Sequence, residues 1–452
     1  MSRRTTLSND GARDRAYLVG VEIAGQSHEL ALKDSLAELA LLCDTAGLDV
    51  LGEVTQKLAR PNVATYIGHG KVEELHALVE HAQADLVIFD DELSPRHQRE
   101  LEEDLGPSVR VLDRTALVLD IFAQHAHSRE GMLQVELAQY EYRLPRLTRA
   151  WTHLERQAGG GGGRAGGVGG VGLRGPGETQ LEVDRRKIRS RISHLKAELE
   201  KVRAQRTQHR AQRRRSYIPV VSLIGYTNAG KSTLLNRLAG AQVQVADKLF
   251  ATLDPTTRRV ALPEGDFALF TDTVGFIQKL PATLVAAFQA TLEEISDADL
   301  LLHVVDISHP NALNQASVVN HTLGQIGAAH IPVLTVMNKV DRLRDPARAN
   351  GILQNYPEAL AISARLGTGI QELLQAVRAQ LYESHVWTRV RLPYDQGALI
   401  ALFHKFAEVE KIEHGRGSVL LEGKLPGRLI AQFAAWHEGT AETATPATPP
   451  PP

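Results

Sequence analysis

The chain has 452 residues, of which 43% are hydrophobic, and a formal net charge of −2. That is an ordinary globular composition, long enough for about three domains. Its single cysteine, Cys43, excludes a disulfide framework within the chain and suits a reducing cytosol. No stretch reaches the roughly 18 uninterrupted apolar residues of a membrane span, so no membrane insertion is expected.

The first fifteen residues, MSRRTTLSNDGARDR, are polar throughout. They carry no apolar core for a secretory signal, and 1–15 reads as a disordered N-terminus. From 16 to 128, strand signals at 17–23, 50–54, 85–89 and 109–112 alternate with helical spacing at 35–45, 71–81 and 94–105. This order predicts an α/β domain with a largely parallel sheet. Tyr66-Ile67-Gly68-His69-Gly70-Lys71 looks like a nucleotide loop but lacks the second half of either phosphate motif. It reads as a strand-to-helix turn. Asp90-Asp91-Glu92 offers a metal site or, more blandly, a solvated strand end with Ser94 capping the next helix.

Residues 129–216 read as a helical hairpin. Leu133, Leu137, Tyr140 and Leu144 are spaced four, three, four, and Ile188, Ile192, Leu195, Leu199 and Val202 continue the same pattern. Both are narrow seams that need each other. Between them lies a glycine-rich tip, 159–177, with 12 glycines in 19 residues. It is either a passive linker or a segment that orders on a partner. The second arm, 182–216, holds 13 Lys or Arg against 4 Asp or Glu and closes on Arg213, Arg214 and Arg215. That excess is an electrostatic footprint for an RNA backbone, with an acidic protein or lipid surface as the competitor.

Residues 217–384 carry the phosphate chemistry. Gly225-Tyr226-Thr227-Asn228-Ala229-Gly230-Lys231-Ser232, followed by Thr233, reads G-x-x-x-x-G-K-S between a strand pattern and a helix start. Curled backbone N–H groups and the helix N-terminus suit phosphate. Lys231 would reach the β- and γ-phosphates, and Ser232 would hold Mg²⁺. Phe250-Ala251-Thr252-Leu253-Asp254 supplies a threonine for the metal shell. Asp272-Thr273-Val274-Gly275 places a carboxylate near Mg²⁺, through water, and a glycine N–H for the γ-phosphate. Lys231, Thr252 and Gly275 are the catalytic candidates. Asn338-Lys339-Val340-Asp341 ends another strand pattern and reads guanine: the Asp341 carboxylate can accept from two donors that adenine lacks on that edge. Ser363-Ala364-Arg365 fits a last base-contacting loop. Together these elements resemble the translation-factor-like class of small GTPase domains.

Residues 385–436 read as a small α+β module, with strands at 388–392, 407–412 and 418–422 and a helix at 396–405. No catalytic spacing stands out in it. Residues 437–452 are rich in Ala, Thr and Pro and read as a disordered tail.

The whole layout resembles the HflX family of ribosome-associated GTPases, of the Obg-HflX group. The resemblance rests on Tyr66-Ile67-Gly68-x-Gly70-Lys71, Asp113-Arg114-Thr115, the run Leu133 to Gln139, Tyr142-Arg143-Leu144-Pro145-Arg146-Leu147, Gly175-Pro176-Gly177-Glu178-Thr179-Gln180-Leu181-Glu182 and Phe250 to Thr256. It implies a P-loop GTPase domain, a mixed sheet flanked by helices, beside an N-terminal α/β domain with a long helical hairpin. It also implies binding of GTP and GDP with Mg²⁺, a cytoplasmic monomer, and association with the large ribosomal subunit and its rRNA. The expected role is recycling or splitting of stalled ribosomes, or ribosome biogenesis.

Two positions bear on mechanism. Phe276 follows Gly275 where a glutamine would orient the attacking water, so the intrinsic rate is expected to be low. Asn228 stands where potassium-activated members of this class carry asparagine, so it either helps hold K⁺ or serves the turn alone. Three functions stay open: a GTP hydrolase switch on the ribosome, a GTP-gated binding module with negligible turnover, and an ATP-driven RNA remodeller that Asp341 disfavours.

Overall fold

A computed structural model of the chain describes residues 13–25, 31–149, 176–215, 218–240, 249–250, 254–279, 295–343, 356–382 and 385–438. The chain divides into two compact units, Met1–Ala261 with Phe267–Ile370, and Leu262–Asp266 with Gln371–Pro452. The tail expected at 437–452 and the glycine tract up to Gly175 lie, but for His437 and Glu438, outside the described residues.

The first unit opens with four parallel strands, β1 (Arg15–Ile23), β2 (Asp49–Leu58), β3 (Leu86–Phe89) and β4 (Arg110–Asp113), in the order β2-β1-β3-β4. All four residues of β3 are buried, as a parallel strand covered on both faces must be. Side chains alternate between two cores. Leu18, Leu86 and Ile88 meet α1 (Leu32–Ala46) and α4 (Arg114–His125). Val19, Val87 and Phe89 meet α2 (His69–Ala82) and α3 (Pro95–Leu105). Ser94 caps α3, accepting from the His97 N–H at 3.1 Å, as expected. Gly68 precedes the first residue of α2, so the motif around it is the turn the sequence indicates.

Two features of this N-terminal domain differ from the sequence reading. Helix α4 was not anticipated: Thr115 to Phe122 is nearly all apolar and therefore has no 3.6-residue stripe to read. Asp90 is neither a metal ligand nor a solvated strand end. It is fully buried and ion-paired to Arg114 at 2.6 Å and Lys279 at 2.5 Å. Among the described residues no group of three or more His, Cys, Asp or Glu is placed to hold a metal.

Helix α5 (Arg129–Arg143) and the 40-residue α6 (Pro176–Arg215), about 60 Å long, form the hairpin. Leu133, Leu137 and Tyr140 pack with Ile192, Leu195 and Leu199. The ion pairs Arg129–Glu198 and Arg191–Glu136 run in opposite chain order, so the arms are antiparallel. The seam is shorter than the spacing implies. Leu144 has already left α5 for a 3-10 turn, Leu144–Arg149, that carries Pro145.

The second sheet of this unit contains β5 (Val220–Ile224), β6 (Thr256–Ala261), β7 (Phe267–Asp272), β8 (Leu300–Asp306), β9 (Val333–Asn338) and β10 (Leu360–Ala361). Its order is β10-β9-β8-β5-β7-β6, and β6 alone pairs antiparallel. Helices α7 (Lys231–Leu238) and α8 (Ala312–Gln325) connect strands of this mixed sheet. Strand β6 escaped the sequence reading because it is a polar edge strand, TTRRVA, with one buried residue.

The second unit holds most of α9 (Ile370–Tyr382), then β11 (His385–Pro393), α10 (Gly397–Phe406), β12 (Glu408–His414), β13 (Ser418–Pro426) and α11 (Gly427–Phe433). Its sheet is antiparallel in the order β11-β13-β12. Phe403 and Phe433 meet edge to face at 5.7 Å in its core. Arg378 ties Asp266 to α9 at 2.9 Å.

Candidate functional site

The carboxyl ends of β5, β7, β8 and β9 face one region, the place where parallel sheets take ligands. The turn from β5 into α7 carries Gly225 to Gly230. Gly230 has φ 96° and lies so close to Asn338 that a Cβ would collide with its amide nitrogen. Asn228 is also left-handed, at φ 59°, a conformation asparagine tolerates. The first turn of α7 holds Lys231, Ser232 and Thr233, so its N-terminal N–H groups and partial positive charge open onto the loop.

Lys231 is buried and donates to the carbonyls of Gly225 at 3.0 Å and Tyr226 at 2.9 Å. Burial pushes its pKa down to about 8; Asp272 opposes the shift and Lys339 adds to it. Ser232 Oγ donates to Asp272 Oδ2 at 2.5 Å. A hydroxyl and a carboxylate thus stand together beside the loop lysine, a hard-oxygen pair of the kind that suits Mg²⁺. Thr273 turns inward and donates to Leu223 O at 2.6 Å. Val274 packs against the core that α1 and α4 share.

The base-side loops converge on the same place. Asn338 bridges them, donating to Ala229 O at 2.9 Å and accepting from the Ala364 N–H at 3.0 Å. Lys339, at φ 66°, donates to Asn228 O at 2.7 Å. Asp341 accepts from Ser363 Oγ at 2.6 Å, and Ser363 Oγ accepts in turn from the Leu366 N–H. Arg237 of α7 donates to the carbonyls of Ala364 and Arg365. The sequence reading missed Asp306, which ends β8 opposite Asn338 and pairs with Lys339 at 2.8 Å. The signal was available: LLHVVD is a buried strand ending in a carboxylate between the two motifs.

Other singled-out residues stand elsewhere. Phe250 packs edge to face on Phe122 at 4.7 Å, within the N-terminal core. Asp254 accepts from the N–H groups of His127 and Ser128 and from Ser128 Oγ, at the start of α5. The Tyr226 phenol reaches Glu38 of α1. Phe276 is buried in the core of the second sheet. Ala251, Thr252 and Leu253, and the side chains of Arg213, Arg214 and Arg215, lie outside the described residues.

Residues 33–123, 125–213 and 220–339 match models of a GTP-binding GTPase N-terminal region, a GTP-binding GTPase middle region and a 50S ribosome-binding GTPase. The chain is 47% identical over 384 residues to GTPase HflX of Caldanaerobacter subterraneus, spanning 85% of this chain and 84% of that relative. It is 45% identical over 396 residues to GTPase HflX of Escherichia coli, 87% of this chain and 90% of that one. A crystal structure of a GTP-binding protein from Sulfolobus solfataricus in complex with GDP aligns with 81% of this chain and 98% of that one, at 23% identity and a TM-score of 0.42. The chain belongs to the HflX family of GTPases.

Proposed function

We propose that the protein hydrolyses GTP at the mouth of the 225–233 loop and docks on the large ribosomal subunit and its rRNA. It acts there in the cytoplasm, as a monomer, in recycling or splitting stalled ribosomes or in ribosome biogenesis. The observation that carries the catalytic part is the Ser232–Asp272 pair beside Lys231, with Asp341 and Ser363 joined across the loop. Lys231, released from the loop carbonyls, meets the β- and γ-phosphates. Ser232 and Thr252, with Asp272 through water, would hold Mg²⁺, which supplies charge neutralisation on the phosphates. Gly275 offers its N–H to the γ-phosphate, and Asp341 accepts from guanine. The basic second arm, with Arg213, Arg214 and Arg215, supplies the phosphate-backbone footprint.

The buried Phe276 favours a second feature of this reading: turnover by the free protein is slow, and the partner completes the site. Asn228 is exposed in the loop, and its side-chain oxygen is a candidate K⁺ ligand. A potassium-over-sodium advantage that disappears in Asn228→Ala supports that role, and equal rates in both salts refute it. The catalytic assignment is tested by GTP turnover in Lys231→Ala and GTP affinity in Asp341→Asn. Turnover is expected to vanish in the first and guanine discrimination to weaken in the second. Wild-type values in both contradict the assignment.

A further inference from the structure

Gly275 lies directly on the phosphate loop. A Cβ built on it would stand 2.8 Å from Thr227 Cα and 3.0 Å from Lys231 Nζ. The next residue sews the closure: the Phe276 N–H donates to Gly225 O at 3.1 Å and Phe276 O accepts from the Thr227 N–H at 2.8 Å. A γ-phosphoryl group held by both Lys231 and the Gly275 N–H would have to enter a space too narrow even for a Cβ. GDP ends one phosphate earlier and makes no such demand.

What holds the segment down comes from the first sheet. Gln278 N donates to the Tyr226 phenol at 2.9 Å, and that phenol donates to Glu38. Arg114 joins Glu38 at 2.6 Å to Asp90 at 2.6 Å, and Lys279 closes the chain with bonds of 2.5 Å to Asp90 and to Asp91. Burial works to raise the Asp90 pKa, but Arg114 and Lys279 overrule it and hold the carboxyl below its usual range. Lys279 itself sits at φ 53°, a left-handed backbone that persists only where surrounding contacts impose it. The location is telling. In the parallel order β2-β1-β3-β4 the switch point lies between β1 and β3, where such sheets take ligands. Asp90 follows β3 at that point, and the Lys279 ammonium is what it holds.

We propose that Lys279, gripped by Asp90 and Asp91, latches residues 275–279 over the phosphate loop and thereby sets the preference for GDP over GTP. This rests on the guanine-nucleotide reading above. Binding GTP lifts the segment, parts the Phe276 backbone pair and draws Lys279 off its carboxylates. Binding GDP leaves all three in place. The first sheet is then the element against which the triphosphate works.

The test measures dissociation constants of GDP and of a non-hydrolysable GTP analogue for the full chain, as wild type, Lys279→Met and Lys279→Arg. The methionine keeps the length of the side chain and removes its charge. The expected result is a gain in analogue affinity on the order of fivefold or more, at the low end of coupling between sites, with GDP affinity unchanged. Lys279→Arg is expected to keep the wild-type ratio. Asp91→Asn, which leaves the buried Asp90–Arg114 pair intact, is expected to shift the ratio in the direction of the methionine variant. An unchanged ratio in Lys279→Met, or equal changes for both nucleotides, overturns the latch while leaving the GTPase assignment standing. Failure of the wild type to bind either nucleotide contradicts the GTPase assignment and the latch with it.

Discussion

Gly230 shows how one residue ties the loop to the base side. Its left-handed backbone and its contact with the Asn338 amide both exclude a side chain. Gly230→Ala is expected to weaken guanine-nucleotide affinity at least tenfold, because Asn338 must shift and release Ala229 and Ala364. Isothermal titration with GDP checks this, and an affinity within twofold of wild type contradicts it. His303, buried on β8 beneath the loop, gives a pH prediction. Its Nε2 finds no partner among the described residues, and burial, aided by Lys231, pushes its pKa from 6.5 down to about 4. The folded state therefore prefers the neutral ring. The stability this confers is complete above pH 6.5 and is lost as pH falls toward 4, by as much as about 3 kcal/mol. His303→Leu should flatten this limb of the pH–stability curve relative to wild type in urea melts. At this scale the sequence was informative where a motif names its own chemistry, as for Lys231, Ser232 and Asp272. It did not show that Arg114 joins Glu38 to Asp90, because residues 38, 90 and 114 meet only through tertiary packing.

Among the elements, those with a clean period were readable and those without one were not. The apolar runs of β1, β5 and β9 and the stripes of α1 and α2 were legible. Helix α4 is apolar on every side because the sheet, α1 and α5 all cover it, so burial erased the signal. Strand β6 lies at an edge and is polar, so exposure erased it there. The N-terminus of α5 shows a contact that no local pattern encodes. Ser128 caps the helix, accepting from the Gly131 N–H at 2.9 Å, and Asp254, more than a hundred residues on, accepts from Ser128 and His127. Asp254 adds negative charge at the positive end of the helix. Asp254→Ala should destabilise the protein by about 1–2 kcal/mol, with faster amide exchange at Gly131 and Met132. Unchanged exchange there would show that Ser128 suffices alone.

On the scale of the whole molecule, the first unit holds both the 225–233 loop and the long basic arm. Both segments that flank the 225–233 loop touch the N-terminal domain or the hairpin: Phe250 and Asp254 on one side, Ile277 and Lys279 on the other. Neutralising Arg213, Arg214 and Arg215 together should weaken RNA or large-subunit binding and reduce its salt slope by roughly one per lost phosphate contact, with GTP affinity unaltered. An unaltered slope reassigns the arm to a solvated face or a protein partner. The most direct measurement is GTP turnover by the full chain with and without purified large ribosomal subunits. Slow turnover alone and a rise of at least tenfold on adding the subunits is the result expected of a switch whose Phe276 cannot orient water. An unchanged rate at saturating large subunits would contradict it.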